Sequence, residues 1–315
     1  MSAKNNLGAL PLTGFLPALK VSVLTPAAPA VSQEKGARDA VRINLLTPGD
    51  ETEVTSFLSA RPLHTVTMAS FIRDNGLMNP LNRGRFYACR DSSGRLEGVA
   101  LVGHTVLFES RSDAATEAFA HLARECRQLH LMMAEHERAK SFWGFYAPRG
   151  EEPRLLRHVY LLEQRSAQEG YEPVPDLRPA TLDDLETVMI IQAEMIHEES
   201  GVNPMETDLL GFRIRCLRRI EQGRVWVLMK EDGRPVFKAD VIAETPETVY
   251  IEGVYVSPQE RRKGYGQRCL AHMSGQLLKR SRSLTLFVER ENTDAQSFYG
   301  NSGFEFNSHY NILYF

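Results

Sequence analysis

The sequence predicts a mixed α/β fold that occurs twice in one chain. Stretches rich in β-branched and aromatic residues alternate with stretches whose apolar residues recur at helical spacing, which is typical of α/β proteins. Two segments of the first half recur in the same order in the second half, at offsets of 134 and 139 residues. With 315 residues, the chain is long enough for two domains that each bury a core.

The composition is that of an ordinary soluble protein, with 43% hydrophobic and 24% charged residues. A formal net charge of −3 gives no electrostatic footprint for nucleic acid. The four cysteines are far apart and lack the spacing of a zinc site. No run of about twenty apolar residues indicates a membrane span. We therefore expect a reduced, cytoplasmic protein with no metal ion and no membrane or nucleic-acid partner.

The first half opens with residues 1–38, which mix Ala, Pro, Ser and Gly without periodicity and are expected to form a disordered leader. A first domain is expected at residues 39–167, before a segment at 168–176 that contains two prolines and a glycine. Its predicted elements are a strand at 41–46, a helix carrying Val54, Phe57 and Leu58, a helix around 66–72, a hairpin with arms at 86–90 and 96–108, a helix at 114–126, and strands at 129–134 and 157–162.

The second half repeats this pattern and is expected to form a second domain at residues 177–315. The segment 181–184 echoes 47–50, and 224–227 echoes 85–88, which suggests an internal duplication. Helices are predicted at 182–197 and 209–222, with a polar loop at 198–204 between them, and a later strand is predicted at 284–288.

The stretch 248–276 reads as a strand, an anion-binding loop and a helix. Residues 250–256 are rich in β-branched and aromatic residues, and apolar residues fall at helical spacing after Gly264. The loop between them contains three cations and two glycines. Glycine lets the backbone approach an anion, and the following helix N-terminus offers unpaired N–H donors. The sequence therefore predicts a place to hold a diphosphate.

A second motif follows a predicted strand about thirty residues later. It begins at Asn292, a predicted helix N-cap, and continues through Ala295, Phe298 and Tyr299 to Gly303-Phe304. Together the two motifs resemble those of the GNAT superfamily of N-acetyltransferases: Arg261, Gly264 and Gly266 match its coenzyme A loop, and the segment from Asn292 matches its second signature. The resemblance covers roughly 177–315. The chain as a whole resembles bacterial two-domain members of this superfamily whose N-terminal domain is of unknown function.

The resemblance implies tandem acyl-CoA N-acyltransferase folds with a mixed central sheet flanked by helices, and acetyl-CoA as the cosubstrate. It also implies that the strand containing Val254 splays from its neighbour and contacts the coenzyme through backbone groups. Gly253 is consistent with a bulge at this point. The residues assigned to coenzyme binding are Val254, Tyr255, Val256, Arg261, Arg262, Lys263, Gly264, Tyr265, Gly266, Gln267 and Asn292.

Glu252 is the predicted base. A carboxylate inside an apolar strand is costly unless it is paired or faces a cleft, and its position matches a strand glutamate that family members use as a base, usually through water. With strict alternation it lies on one face with Tyr250, Val254 and Val256. The alternative is a solvent-facing strand residue.

Tyr299 is the predicted acid, because a phenol is protonated at neutral pH and can donate to a thiolate. Its alternative is a core aromatic that packs beside Phe298. For Asn292, a coenzyme contact and helix capping are both open. In the resembled family the region between the first two helices lines the acceptor site, which implies that Glu198, Glu199 and Asn203 bind the acceptor amine; the alternative is a solvated helix end.

The predicted function is N-acetyl transfer from acetyl-CoA to a primary amine of a small molecule or a protein, catalysed by the second domain. In the first half, the segment 109–113 carries no glycine, so that domain is expected to be a degenerate copy. The alternative function is an acyl-CoA-binding sensor or regulatory module without turnover.

Overall fold

The computed structural model describes residues 41–315, and the predicted leader at 1–38 lies outside them. The first half contains β1 (Arg42–Leu45), α1 (Glu51–Ser59), α2 (Pro62–Asn75), β2 (Gly84–Arg90), β3 (Leu96–Gly103), β4 (Thr105–Ser110), α3 (Asp113–Arg124), β5 (Leu131–Glu135), α4 (His136–Tyr146) and β6 (Leu155–Gln164).

The second half repeats this order with one additional short helix. It contains β7 (Arg178–Pro179), α5 (Leu185–Ser200), α6 (Pro204–Thr207), α7 (Leu209–Glu221), β8 (Val225–Met229), β9 (Pro235–Glu244), β10 (Thr248–Val256), α8 (Tyr265–Leu277), β11 (Ser283–Glu289), α9 (Thr293–Asn301) and β12 (Glu305–Tyr314).

The twelve strands within residues 41–315 form one mixed sheet, in the order β1-β2-β3-β4-β5-β12-β6-β11-β10-β9-β8-β7. Pairs β4–β5 and β10–β11 are parallel, and the other neighbours are antiparallel. The two halves exchange their last strands: β12 of the second half pairs with β5 of the first, while β6 of the first half pairs with β11 of the second. The sheet is therefore continuous across both halves.

Helices cover both faces of this sheet. Apolar side chains of α1 and α2 pack on one face, in a cluster that also includes Ile242, Tyr250 and Phe287 of the second half. Helices α5 and α7 cover the same face further along, whereas α3, α4, α8 and α9 cover the opposite face. The mixed α/β fold class predicted from the sequence is confirmed.

Several elements differ from the prediction in detail. The second arm of the first hairpin is two strands, β3 and β4, separated at His104. Helix α4 was not predicted, and residues 198–200 form the last turn of α5 rather than part of a loop. The echoed segments 47–50 and 181–184 adopt the same structure, a 3₁₀ turn with a capping box, Thr47 with Asp50 and Thr181 with Asp184.

Candidate functional site

The site predicted from the second half surrounds a wedge between two parallel strands. Pairing of β10 with β11 joins Thr248, Val249 and Tyr250 to Ser283, Leu284 and Thr285. Both strands continue, to Val256 and to Glu289, but among the described residues their pairing ends at Tyr250. The strands therefore splay, as expected from the resemblance, and leave backbone groups of β10 available beyond that point.

A bulge at Gly253 lies at the mouth of the wedge. The register of β10 with β9 shifts between Glu252 and Tyr255, and Gly253 has φ +61°. The extra residue reverses the alternation. Tyr250 belongs to the core cluster under α2, whereas Val254 and Val256 belong to the cluster under α8 and α9. The prediction that Glu252 shares a face with Val254 and Val256 is therefore wrong, because strict alternation does not survive the bulge.

Glu252 is buried, with 1% of its surface exposed, so the solvent-facing alternative is excluded. The Tyr250 hydroxyl donates a hydrogen bond to Glu252 Oε1. Burial raises the pKa of Tyr250 well above its usual range, and the charge of Glu252 raises it further. The phenol consequently stays protonated and can act as a permanent donor to the carboxylate.

A second buried polar group lies beside the bulge. Lys238 and Asp240 of β9 are 0% and 2% exposed, and Lys238 Nζ donates to Asp240 Oδ2 at 2.6 Å. Lys238 also donates to Gln192 Oε1 of α5. A Cβ at Gly253 would lie 3.0 Å from Lys238 Nζ and 3.1 Å from Asp240 Oδ2, so only glycine fits this position comfortably. Lys238 and Asp240 therefore pack against the backbone of the bulge and restrict it to glycine.

The predicted anion loop leaves β10 and enters α8. Residues 262–264 are exposed, and Gly264 is the N-cap of α8 with φ +80°. Because the N-cap is a glycine, it has no side chain that could accept from the first N–H groups. The first N–H groups of α8 thus remain able to bind an anion.

The remaining loop residues hold the loop in shape. Arg261 Nε donates to the carbonyl of Val256 at 3.1 Å, and Lys263 Nζ contacts Glu260 Oε2 at 3.1 Å. Glu260 also binds Lys230 at 2.5 Å. Gly266 is buried, and a Cβ there would meet Val256 and Phe298 at about 3 Å. Gly264 thus permits the left-handed turn into α8, while Gly266 permits close packing of α8 against Val256 and Phe298. Tyr265 and Gln267 are partly buried in the first turn of α8.

The second motif forms α9 as predicted, with Asn292 as its N-cap. Asn292 Oδ1 accepts a hydrogen bond from the Ala295 amide at 3.0 Å, so helix capping is one role of this residue. Tyr299 is 0% exposed and packs edge-on against Phe298 and Phe304. It lies in the cluster that contains Val254 and Val256, on the α8–α9 side of the wedge.

The three predicted acceptor residues do not behave alike. Asn203 caps α6 through Oδ1 and donates to Glu206 Oε1 at 2.9 Å, so its side chain serves the local turn. Glu198 is exposed. Glu199 is partly buried, and burial raises its pKa to about 8, with further contributions from the charges of Glu252, Glu289 and Glu198. Glu199 and Glu252 therefore belong to one electrostatic site, although they are on different elements.

Sequence reasoning missed two charged residues at this site. Arg157 of β6 donates through Nε to Glu289 Oε1 of β11 at 2.5 Å, and its charge lowers the pKa of Glu199. The pair connects the two halves of the chain. The strand exchange that brings Arg157 here involves residues more than a hundred positions apart, so local patterns could not reveal it. Helix α7 also carries arginines, two of which contact carboxylates: Arg215 contacts Asp208 and Arg219 contacts Asp240.

A cavity of about 600 Å³ lies elsewhere, where β6 and β12 meet between α4 and Arg290. Asn311 Oδ1 bridges the Nδ1 atoms of His136 and His158 there, at 3.2 and 3.0 Å. None of the sequence-predicted site residues lines this cavity. No group of His, Cys, Asp and Glu within 41–315 is arranged to hold a metal ion, and no helix in that range is long and apolar enough to cross a membrane.

Residues 191–304 match the family model described as the acetyltransferase (GNAT) family. This part of the chain is similar to the GNAT family. The matched segment begins in α5 and ends after α9, so it contains the wedge, the anion loop and the second motif. The family recognised from the two motifs is thereby confirmed. No curated protein matches the sequence.

Solved structures extend the likeness to both halves. A GCN5-related N-acetyltransferase from Sphaerobacter thermophilus is 14% identical with a TM-score of 0.58, over 86% of this chain and 94% of that one. A tandem GNAT protein from the clavulanic acid biosynthesis pathway is 13% identical with a TM-score of 0.56, over 87% and 98%. A Drosophila protein is 13% identical with a TM-score of 0.61, over 88% and 99%. At these identities the likeness establishes a tandem GNAT fold.

Proposed function

We propose that the second half transfers an acetyl group from acetyl-CoA to a primary amine by direct attack within a ternary complex. The observation that carries this proposal is the wedge between β10 and β11, with Glu252 on one side and Tyr299 on the other. An amine and a thioester that meet in the wedge would each have an ionisable side chain nearby. The acceptor is a small molecule or a protein.

The residues present fit the coenzyme. The diphosphate needs N–H donors and countercharge, which the N-terminus of α8 and the loop cations Arg261, Arg262 and Lys263 offer. Backbone groups of Val254–Val256 on the side away from β9 would bind the pantetheine amides. When bound, acetyl-CoA supplies an activated acyl group.

Glu252 would remove a proton from the acceptor through water. An alkyl amine has a pKa near 10.4 and enters mostly as an ammonium ion, which cannot attack a carbonyl. A carboxylate that is buried and oriented by the Tyr250 hydroxyl can bind the ammonium and then take up its proton. The bulge at Gly253 turns the backbone beyond Glu252 toward the wedge, where its N–H groups can polarise a carbonyl.

Tyr299 would donate a proton to the thiolate that leaves. Its burial keeps the hydroxyl away from bulk water, and the apolar surroundings strengthen any hydrogen bond that it makes. The first half, at 39–167, then has a structural or substrate-shaping role, and the catalytic domain spans 177–315.

The test is an assay of thiol release with a panel of amines, followed by two isosteric variants. We expect turnover of at least one amine by the wild type. Tyr299→Phe and Glu252→Gln should each lower kcat by about 10²-fold or more, since acid–base groups contribute about that much. Phe306→Tyr, at an exposed position on β12, is the matched aromatic control.

Calorimetry with acetyl-CoA separates this function from its alternative. Tight binding without turnover of any amine would favour an acyl-CoA sensor. Turnover that persists in both variants would leave the acetyltransferase in place but remove the roles given to Glu252 and Tyr299.

A further inference from the structure

The strand exchange brings a residue of the first half to the site of the second half. Strand β6 belongs to the first half in sequence, yet it pairs with β11 along six positions, up to the pair Val159–Glu289. Arg157 is two residues before Val159 and therefore lies on the same face of the sheet. Its side chain reaches the end of β11, where β11 has already left β10.

The contact of Arg157 with Glu289 is close and partly shielded. Nε donates to Glu289 Oε1 at 2.5 Å, and Nη2 contacts the same oxygen. The side chains are 21% and 33% exposed. An arginine that binds through two nitrogens is held in one orientation, which a lysine cannot reproduce.

The electrostatic consequence falls on Glu199. Four charged groups influence the pKa of this carboxyl: Arg157 from β6, Glu252 from β10, Glu289 from β11 and Glu198 from its own helix. The three carboxylates disfavour a charge on Glu199, and Arg157 alone among these four favours it. The amount of negative charge that meets an incoming ammonium ion thus depends on Arg157.

We propose that Arg157 is a positioning residue of the acceptor site, through which the first half completes the active site of the second. It holds Glu289 at the end of the wedge and sets the charge on Glu199, and so adjusts the affinity for a cationic acceptor. The proposal rests on the function proposed above. It also gives the strand exchange a role in the reaction, because β6 brings a cation of the first half to the carboxylates of the second.

Two variants with opposite expected effects test this proposal. In Arg157→Gln, the cation is lost, so the ¹³C-detected titration of the Glu199 carboxyl should move to higher pH by about one unit or more. In Glu289→Gln, the neighbouring carboxylate is lost, so the same titration should move to lower pH. Simple breakage of a structural ion pair would affect both variants in the same way, so opposite directions identify electrostatic control.

Two controls accompany these variants. Arg157→Lys retains the charge and should keep the titration of Glu199 near that of the wild type, while it loses part of the hold on Glu289. Arg165→Gln removes an exposed arginine at the far end of β6, where it contacts Glu163 at 3.0 Å, and should leave the titration unchanged.

The kinetic readout is the pH dependence of KM for an amine acceptor. It should shift in the direction of the Glu199 titration in both variants, with kcat changed less than KM. An unchanged titration in Arg157→Gln, or a titration that shifts while the pH profile of KM does not, would overturn the proposal. Absence of turnover in the wild type would instead contradict the proposed function, and the titration would still decide whether Arg157 controls Glu199.

Discussion

The two halves of the chain share an order of elements and differ most between their fourth strand and the helix that follows. In the second half, eight residues connect β10 to α8, and the N-cap Gly264 has no side chain to cap the helix. In the first half, two residues connect β4 to α3, and Ser112 Oγ accepts from the Ala115 amide at 3.3 Å. The first half thus has neither the length nor the open donors for a diphosphate.

The wedge of the first half is present but occupied by its own side chains. Strands β4 and β5 pair at Thr105–Leu131 and Val106–Met132 and then continue to Ser110 and Glu135. Arg61 binds both oxygens of Glu109 at 3.2 Å and Glu135 at 2.7 Å. A cavity of about 20 Å³ remains there. The comparison shows that a splayed strand pair alone does not make a coenzyme site.

The helix after the fifth strand of each half preserves a trace of the duplication. Residues 139–144 read AKSFWG, and residues 295–300 read AQSFYG. In this match, Trp143 of the first half occupies the position equivalent to Tyr299 of the second half. The indole has an N–H donor but no acidic hydroxyl, and Trp143 Nε1 already donates to the carbonyl of Glu151 at 2.9 Å. The first half therefore also lacks the residue proposed as the acid.

The largest expected difference between the halves is that the second half binds acetyl-CoA and the first half does not. We expect about one acetyl-CoA per chain, because within residues 41–315 the second half combines a long loop, a glycine N-cap and a strand pair that splays without an arginine–carboxylate cluster like that of Arg61. Isothermal titration calorimetry measures the stoichiometry directly. A value near two, with similar affinity at both sites, would contradict the view of the first half as a degenerate copy.

A substitution at the loop glycine should reduce this binding strongly. In Gly264→Val, a β-branched residue must adopt φ +80°, which costs about 1–2 kcal/mol or displaces the loop from its binding shape. We expect the Kd for acetyl-CoA to rise about tenfold or more. The matched control is Gly94→Val in the first half, where φ is +86° and nothing lies within 4 Å of the added Cβ. That variant should lose similar stability and keep its affinity.

The sequence was sufficient for the elements that repeat and for the two motifs. Local periodicity located most helices and strands, and the loop glycines with Asn292 and Tyr299 led to the family. The helix α4 was missed because its polar start obscures the apolar spacing, although the match of 139–144 with 295–300 could have revealed it. The face assigned to Val254 was wrong because one extra residue at Gly253 is invisible to an alternation rule.

The parts that sequence could not supply are long-range. The exchange of β6 and β12 determines where Arg157 lies, and it depends on which strands pair across the whole sheet. The same holds for Glu199, whose type is generic on a helix and whose raised pKa comes first from burial and then from the charges of Glu252 and Glu289. Site chemistry that arises from distant neighbours is read only from the fold.

The two halves should respond to pH with opposite signs. Burial lowers the pKa of His64 in the first half to about 4, with further influence from Glu135 and Arg61. The unfolded state then binds more protons between about pH 4 and 6.5, so stability is lost as pH falls through that window. Burial raises the pKa of Glu199 to about 8, so the folded state binds more protons above pH 4.5, and stability is lost as pH rises toward 8.

Urea unfolding at a series of pH values checks this difference. His64→Gln should flatten the acid side of the profile and Glu199→Gln the alkaline side, each by up to about 1.4 kcal/mol per pH unit. The substitutions serve as controls for one another, since neither should alter the limb assigned to the other. A profile that keeps both slopes in both variants would show that other groups determine them.

The smallest expected difference concerns the capping boxes that the halves share. Asp50 accepts from the Thr47 amide at 2.9 Å and lies 3.5 Å from Arg90, whereas Asp184 accepts from the Thr181 amide at 2.7 Å and binds Arg178 through two bonds. Loss of a cap costs about 1 kcal/mol, and the bidentate arginine adds to it at Asp184, whose side chain is 9% exposed against 30% for Asp50.

We therefore expect Asp50→Ala to lower the free energy of unfolding by about 1 kcal/mol and Asp184→Ala by about 2 kcal/mol. Asparagine at each position keeps an acceptor for the amide and removes the charge, so Asp184→Asn should lose the arginine contribution and retain the cap. Equal losses in the two alanine variants would mean that Arg178 adds nothing to the box. In that case the duplicated turn would have stayed energetically equivalent in both halves, even though the loops beyond it diverged.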